Sequence, residues 1–556
     1  MGGRLAIFNL DPKIGLRNNV FGKDVANFRL FQALARHGGL DEVEFLMTQQ
    51  VAPEQVAAAL VGDVAGAARV RTTGILSHRA PVEAGALLRG SANLEELAWF
   101  RRKVAGPGGY SLMGVIHTLG PPAIRQDLAQ ASIAPMHAWD ALICTSPAVR
   151  DFAAGMFDEW EEYLADRMGG SRPPRPQLPV IPLGVDGDVM AAQRDRPDVR
   201  ATMRAKLGIE PDDVLLLWVG RLSFFEKAFP QPMMRAAEEA ARSTGCRVHF
   251  AMVGWFPNPQ TEDPAYRAAA AAYAPSVTFH IVDGNDPDTV GAMWAAGDVF
   301  VSLVDNIQET FGLTPIEAMA AGLPVVVSDW DGYRFTVRDG EEGFLIPTLG
   351  GPADGLSDEV VAGHAIGLKS YQQYAGIVAQ YTAVHVGRAA DAIAALVRSP
   401  DLRRRMGAAG RDRVRTMLDW RVVAPHYAAL AAELGAIRAK APPIAAVASR
   451  PVKGDPFRDF AGFATQVLTL DTRLALRLGT GAADLERSLR LYFDMFAGNW
   501  RGTPAEAEAV VAFLGQVTTA SARDILLRFP PERRRNVQLS LAWLAKIGVL
   551  DWLAGG

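Results

Sequence analysis

Two doubly wound α/β domains with parallel sheets, followed by an all-helical extension, are what three features of this sequence predict. Short runs of β-branched and other apolar residues alternate with amphipathic stretches from the start of the chain to about residue 436. That alternation is the pattern of parallel strands joined by crossover helices. The length, 556 residues, exceeds the roughly 250–300 residues that one core organises, so at least two domains are required. Beyond Ala441-Pro442-Pro443 and Arg450-Pro451 only helical periodicity is found. The boundaries are read as a first domain at 1–190, a second at 191–436, a linker at 437–458 and a helical accessory domain at 459–556.

Composition narrows the function classes. Apolar residues make up 49% and the net charge is −4, which supports large cores and gives no general attraction to nucleic acid or anionic lipid. Cys144 and Cys246 each stand in an apolar, strand-like run, as reduced core residues do, so a disulfide framework is not expected. No apolar run approaches the roughly 20 residues of a membrane span, and no signal-peptide core is found at the N-terminus, so a cytoplasmic protein is expected.

The first domain opens with a strand at Arg4-Leu5-Ala6-Ile7-Phe8-Asn9-Leu10, broken by Asp11-Pro12. A loop with Gly15, Asn18 and Asn19 leads into a helix closed by Gly38-Gly39. Strand, glycine loop and helix form a phosphate- or sugar-site shape, although the Gly-x-Gly-x-x-Gly fingerprint of a dinucleotide site is missing. Strands are expected at 43–47 and 112–116, with 81–104 mostly helical. The second of these strands ends at His117, on the carboxyl edge where ligands collect in such sheets. A strand at 141–144, a helix starting at Ser146-Pro147 and a proline-rich connection at 169–176 complete the domain.

The second domain begins with the strand Val214-Leu215-Leu216-Leu217-Trp218-Val219, an unbroken apolar run suited to burial on both faces. Arg221 and Lys227 follow it. Two fixed cations at a strand's carboxyl end suit a pyrophosphate. Further strands are expected at 248–253, 277–282 and 299–303. Then comes Glu309-Thr310-Phe311-Gly312-Leu313-Thr314-Pro315-Ile316-Glu317 and Ala318-Met319-Ala320-Ala321-Gly322-Leu323-Pro324-Val325. It reads as a loop, an amphipathic helix, a Gly-Leu-Pro stop and a buried strand. Glu309 stands just before the helix and Glu317 within it, eight positions apart, a spacing that lets the side chains lie along one face with the later one roughly 10 Å deeper. The backbone N–H groups of Phe311, Gly312 and Leu313 lie at the helix N-terminus, where an anion is favoured.

This stretch resembles the signature of the retaining GT-B glycosyltransferases of family 4, the group 1 glycosyl transferases. The resemblance covers about residues 1–436 and is strongest over 214–346. It implies the GT-B fold, with two Rossmann-like domains facing a cleft, and transfer of a sugar from a nucleotide-diphospho-sugar with retention. Glu309 would then support the sugar, Glu317 the ribose, and Arg221 with Lys227 the diphosphate, His117 facing the sugar from the other domain. Gly15, Asn19 and Gly254 would lie in substrate-side loops. The pattern Pro179-Val180-Ile181-Pro182-Leu183-Gly184-Val185-Asp186 resembles the family's crossing between domains.

Asp329-Trp330-Asp331 is the one metal-like motif. Because Arg221, Lys227 and the helix dipole already supply positive charge for a diphosphate, no metal and no cofactor are expected. A segment from Gly350 to about Ala383, carrying Tyr371, Tyr374 and Tyr381, is added to the family pattern, and its tyrosines are read as half-buried core. Among the C-terminal helices Arg533-Arg534-Arg535 reads as a solvated helix start, so nucleic acid is not an expected partner. A protein partner, self-association and acceptor recruitment all stay open for these helices, as does peripheral membrane contact. The acceptor is not legible. The alternative function is a nucleotide-sugar-binding scaffold without turnover.

Overall fold

The computed structural model describes residues 3–9, 22–49, 51–62, 64–172, 174–353, 356–444, 450 and 452–553. The chain divides into two compact units, Met1–Val447 and Ala448–Gly556.

The first unit contains two six-stranded sheets. One is formed by β1 (Gly3–Asn9), β2 (Leu40–Met47), β3 (Arg69–Gly74), β4 (Ala86–Arg89), β5 (Ser111–Ile116) and β6 (Ala141–Cys144). Their order is β3-β2-β1-β4-β5-β6, with every pair parallel. The other is formed by β7 (Val214–Val219), β8 (Val248–Gly254), β9 (Thr278–Asp283), β10 (Val299–Ser302), β11 (Val325–Ser328) and β12 (Gly343–Ile346). Here the order is β12-β11-β10-β7-β8-β9, again all parallel. Read outward from β1 and from β7, the two sheets share one winding. Each reverses direction beside its first strand and opens a crevice at the strands' carboxyl ends. Two Rossmann-like domains are therefore present, as the alternation predicts, and they match the GT-B fold that the resemblance implies.

Strand β7 shows why these runs are strands. Leu215 and Leu217 enter one hydrophobic core, whereas Val214, Leu216 and Trp218 enter the core on the opposite face. Side chains that alternate between two apolar layers leave no polar face, hence the unbroken run. The stretch 81–104 is mostly helical, as expected, in Arg79–Ala84 and Glu95–Val104, but strand β4 interrupts it. Its four residues, Ala-Leu-Leu-Arg, lie between β1 and β5. A run that short, without β-branched residues, carries no period of its own.

Two passes of the chain between the domains are laced together. Val185 N–H donates to the Leu418 carbonyl at 2.9 Å, and Trp420 N–H to the Val185 carbonyl at 3.0 Å. The helix Trp420–Lys440 then returns to the first domain and runs into the stretch read as linker. There Arg438 Nη1 donates to Gly85 O at 2.6 Å and Ser111 Oγ at 2.7 Å. After β12, β13 (Thr348–Leu349) pairs antiparallel with β14 (Ala383–Val384). Between them lie the helices Leu356–Ala365 and Tyr371–Gln380.

The second unit is helix-rich, as expected, around a core that includes Leu474, Val510, Ile525, Leu541 and Leu544. It also holds a small antiparallel sheet that helical periodicity does not disclose. This consists of β15 (Arg473–Leu476), β16 (Ala520–Ser521) and β17 (Leu550–Trp552), ordered β16-β15-β17. Two of the three consecutive arginines have internal partners: Arg533 pairs with Glu506 at 2.7 Å, and Arg534 Nε donates to Phe529 O. Among the described residues no helix is long and apolar enough to cross a membrane.

Candidate active site

The crevice of the second sheet lies between β7 and β10, the strands beside which the winding reverses. The segment leaving β7 carries Arg221 and Lys227, and the segment leaving β10 carries Glu309. Residues distant in sequence are thereby delivered to one place. Two buried side chains tie the segments together. Asp305 Oδ2 accepts from Phe229 N–H at 3.3 Å, and Asn306 Nδ2 donates to the Phe225 carbonyl. Burial holds the Asp305 carboxyl well above the usual carboxylate range.

Lys227 Nζ lies 3.5 Å from Glu309 Oε2, and Glu309 Oε1 accepts from Phe311 N–H at 3.4 Å. The carboxylate is thus fixed between an ammonium and the start of the helix Leu313–Ala320, where negative charge is favoured. Arg221 Nη1 pairs with Glu226 at 2.8 Å, both side chains about nine-tenths buried. Sequence reasoning passed over Glu226. A charged partner one turn away in a loop is visible only once the loop is folded.

His117 follows β5 of the first domain, and its backbone meets the Glu309 segment. Thr310 Oγ1, next to Glu309, donates to the His117 carbonyl at 2.7 Å, and Thr118 Oγ1 to the Gln308 carbonyl at 3.3 Å. These two bonds lock the Glu309 segment to the first domain. The His117 ring meets Asn27 Oδ1 through Nε2 at 2.8 Å, while Asn27 Nδ2 donates to Gly90 O at 2.8 Å. With its amide so engaged, Asn27 offers its oxygen, and Nε2 carries the proton. Burial first, and then Lys23, push the imidazole down to about 4. At neutral pH it is an uncharged hydrogen-bonding group.

Glu317 lies on the helix, and burial raises its carboxyl pKa, an effect that Arg29 tempers. Phe311 is buried, and Leu313 opens the helix. Gly312 is its N-cap, at φ 87. A Cβ there would lie 2.0 Å from Tyr333 Cε1, and Tyr333 is buried with its hydroxyl 3.0 Å from Ser302 Oγ. The need for glycine is therefore set by the ring packed against it. Gly254 ends β8, where a Cβ would meet the Gly220 carbonyl at 1.8 Å, so close approach of two strand ends explains that glycine. Gly15 and Asn19 lie outside the described residues.

The two carboxylates of Asp329-Trp330-Asp331 diverge. Asp329 pairs with Arg334 at 3.0 Å, whereas Asp331 accepts from Ser146 Oγ of the first domain at 3.0 Å. Among the described residues no cluster of three potential metal ligands is found. Asp331 is also strained, with φ 38, and burial raises its carboxyl to about 7, the Glu309 charge adding to the effect and Ser146 opposing it. A buried carboxyl in left-handed backbone beside Glu309 belongs to the site environment. Sequence reasoning weighed Asp331 only as a metal ligand.

Residues 213–362 match the family of glycosyl transferases group 1. Among similar proteins, D-inositol 3-phosphate glycosyltransferase of Nocardia farcinica is 32% identical over 176 residues, 31% of this chain and 37% of that protein. The enzyme of the same name from Rhodococcus erythropolis is 32% identical over 167 residues, 29% of this chain and 36% of that one. The matches thus span little more than a third of these relatives' length. Among solved structures, sucrose-phosphate synthase from Thermosynechococcus elongatus aligns over 78% of this chain and all of that one, at 20% identity and a TM-score of 0.47. Anabaena HepE in complex with UDP and glucose aligns over 76% of this chain and 98% of that one, at 15% identity and a TM-score of 0.45. The stretch that supplies Arg221, Lys227, Glu309 and Glu317 is thus the part of the chain that is similar to the glycosyl transferases group 1.

Proposed function

We propose that this protein is a retaining glycosyltransferase that moves a sugar from a nucleotide-diphospho-sugar to an acceptor bound against the first domain. The carrying observation is the junction of Lys227 and Glu309 at 3.5 Å, locked to the His117 segment by Thr310. It brings a cation, a carboxylate and a helix N-terminus together at one crevice. Cleaving a sugar–diphosphate bond places negative charge on the leaving oxygen and positive charge on the sugar ring. Arg221 would exchange Glu226 for the diphosphate, with Lys227 and the amides of Gly312 and Leu313 adding positive potential. Glu309 would face the positive sugar. Glu317, whose buried carboxyl resists ionisation, gains two hydroxyl donors when a ribose reaches it, which favours the carboxylate.

His117, uncharged, would donate or accept a hydrogen bond at a sugar hydroxyl without adding charge. The leaving phosphate would receive the acceptor's proton. This reading needs no metal, and activity is expected to survive a chelator. It places the reaction in the cytoplasm, where Cys144 and Cys246, both free thiols, stay reduced. The test is incubation with UDP-, GDP- and ADP-sugars and an acceptor panel that includes D-inositol 3-phosphate, the compound named for the relatives. Nucleotide release and a product of unchanged anomeric configuration by NMR are expected. An inverted product rules out the retaining mechanism, and tight nucleotide binding without turnover on the whole panel favours a scaffold.

A further inference from the structure

The excursion between β13 and β14 leaves the second sheet at the carboxyl end of β12, the edge that carries the site. Its helix Tyr371–Gln380 is held from both domains. A Cβ at Gly376 would lie 2.8 Å from the Phe225 ring, so the helix sits against the segment bearing Arg221, Glu226 and Lys227. From the first domain, Arg125 Nη2 donates to Tyr374 Oη at 3.3 Å.

One turn before Tyr374, the Tyr371 ring reaches toward Gly120, where a Cβ would lie 2.7 Å from its hydroxyl. Gly120 follows His117 by three residues, and its missing side chain is the space the hydroxyl occupies. The Tyr371 oxygen is buried and has no hydrogen-bond partner among the described residues, and the same holds for Arg125 Nε. Leaving a buried donor unsatisfied costs about 1–3 kcal/mol. Two such donors on facing elements call for an acceptor. Burial and the nearby Glu226 hold the Tyr371 phenol protonated, against Arg125 and Arg221. It is therefore a donor over the whole physiological range.

We propose that the excursion completes the substrate site, with the Tyr371 hydroxyl and the Arg125 guanidinium binding an anionic phosphoryl oxygen at the Arg221 end of the crevice. The proposal rests on the glycosyltransferase reading above. It makes Tyr371, outside the segment 213–362 that matches the family, a binding residue contributed by an insertion. The phosphoryl oxygen can come from the donor diphosphate or from a phosphorylated acceptor, and the chemistry offered to both is the same.

Calorimetric titration of wild type and Tyr371→Phe separates the outcomes. The substitution deletes one oxygen and leaves the ring packing in place. If the donor supplies the oxygen, the Kd of whichever of UDP, GDP and ADP binds rises about tenfold, the equivalent of ~1.4 kcal/mol, while the Kd of the matching nucleoside is unchanged. If the acceptor supplies it, nucleotide affinity is unchanged, and the Kd of inorganic phosphate for the nucleotide-saturated protein rises about tenfold. Equal affinities for both probes in wild type and variant overturn the proposal and leave the glycosyltransferase reading standing. A wild type that binds none of the three nucleotides overturns both.

Discussion

Replacing Gly312 by alanine is a sharp test of how the site's central loop is built. Two costs are separable. The first is conformational: at φ 87 an L-residue strains its backbone by about 1–2 kcal/mol. The second is steric, because the new methyl would stand 2.0 and 2.5 Å from Tyr333 Cε1 and Cδ1, far inside contact distance. The ring cannot swing aside, since Tyr333 is 2% exposed and its hydroxyl is bonded to Ser302. Overpacking of this kind costs about 1–3 kcal/mol. The sum, about 2–5 kcal/mol, should appear in equilibrium urea unfolding followed by tryptophan fluorescence. In the Tyr333→Ala background the steric part vanishes and Gly312→Ala should cost only about 1–2 kcal/mol. Equal costs in both backgrounds would refute the account that Tyr333 dictates this glycine.

Three further outcomes follow from particular contacts. Asp331 has a folded pKa raised to about 7, so the stability it contributes is fully present below about pH 4 and lost as pH rises through about 7. Asp331→Asn, which tolerates the same left-handed backbone, should therefore gain stability over wild type between those values in pH-resolved melts, and a constant difference refutes the assignment. Asp140→Ala strands the Arg101 guanidinium, buried to 0% exposure, and should cost about 3–5 kcal/mol in unfolding. Lys227→Met removes the ammonium beside Glu309 and should lower kcat/KM for the sugar nucleotide by about 10²-fold with the melting temperature unchanged.

Much of the architecture is legible because burial on both faces writes unbroken apolar runs such as Val214–Val219, and because Glu309 to Val325 carries loop, helix and strand signals in one stretch. Strand β4 escapes because a four-residue run sets no period, and β15 to β17 escape for the same reason. The partner of Arg221 depends on a loop closing Glu226 onto it, which no spacing rule encodes. Tyr371 meets Gly120 only through tertiary packing across 251 positions of chain, so helical spacing marks it as core and nothing in the sequence points it at the site. Asp331 was visible as a carboxylate, but its strain and its Ser146 contact belong to the folded backbone.

The central claim, that the carboxylate between Lys227 and the helix N-terminus supports the sugar during transfer, rests on Glu309. Its most direct test is steady-state nucleotide release from the sugar nucleotide that wild type uses, compared with Glu309→Ala. A loss of kcat of about 10²-fold or more, with nucleotide affinity largely retained, is the predicted result. Turnover at the wild-type rate in Glu309→Ala would contradict the account.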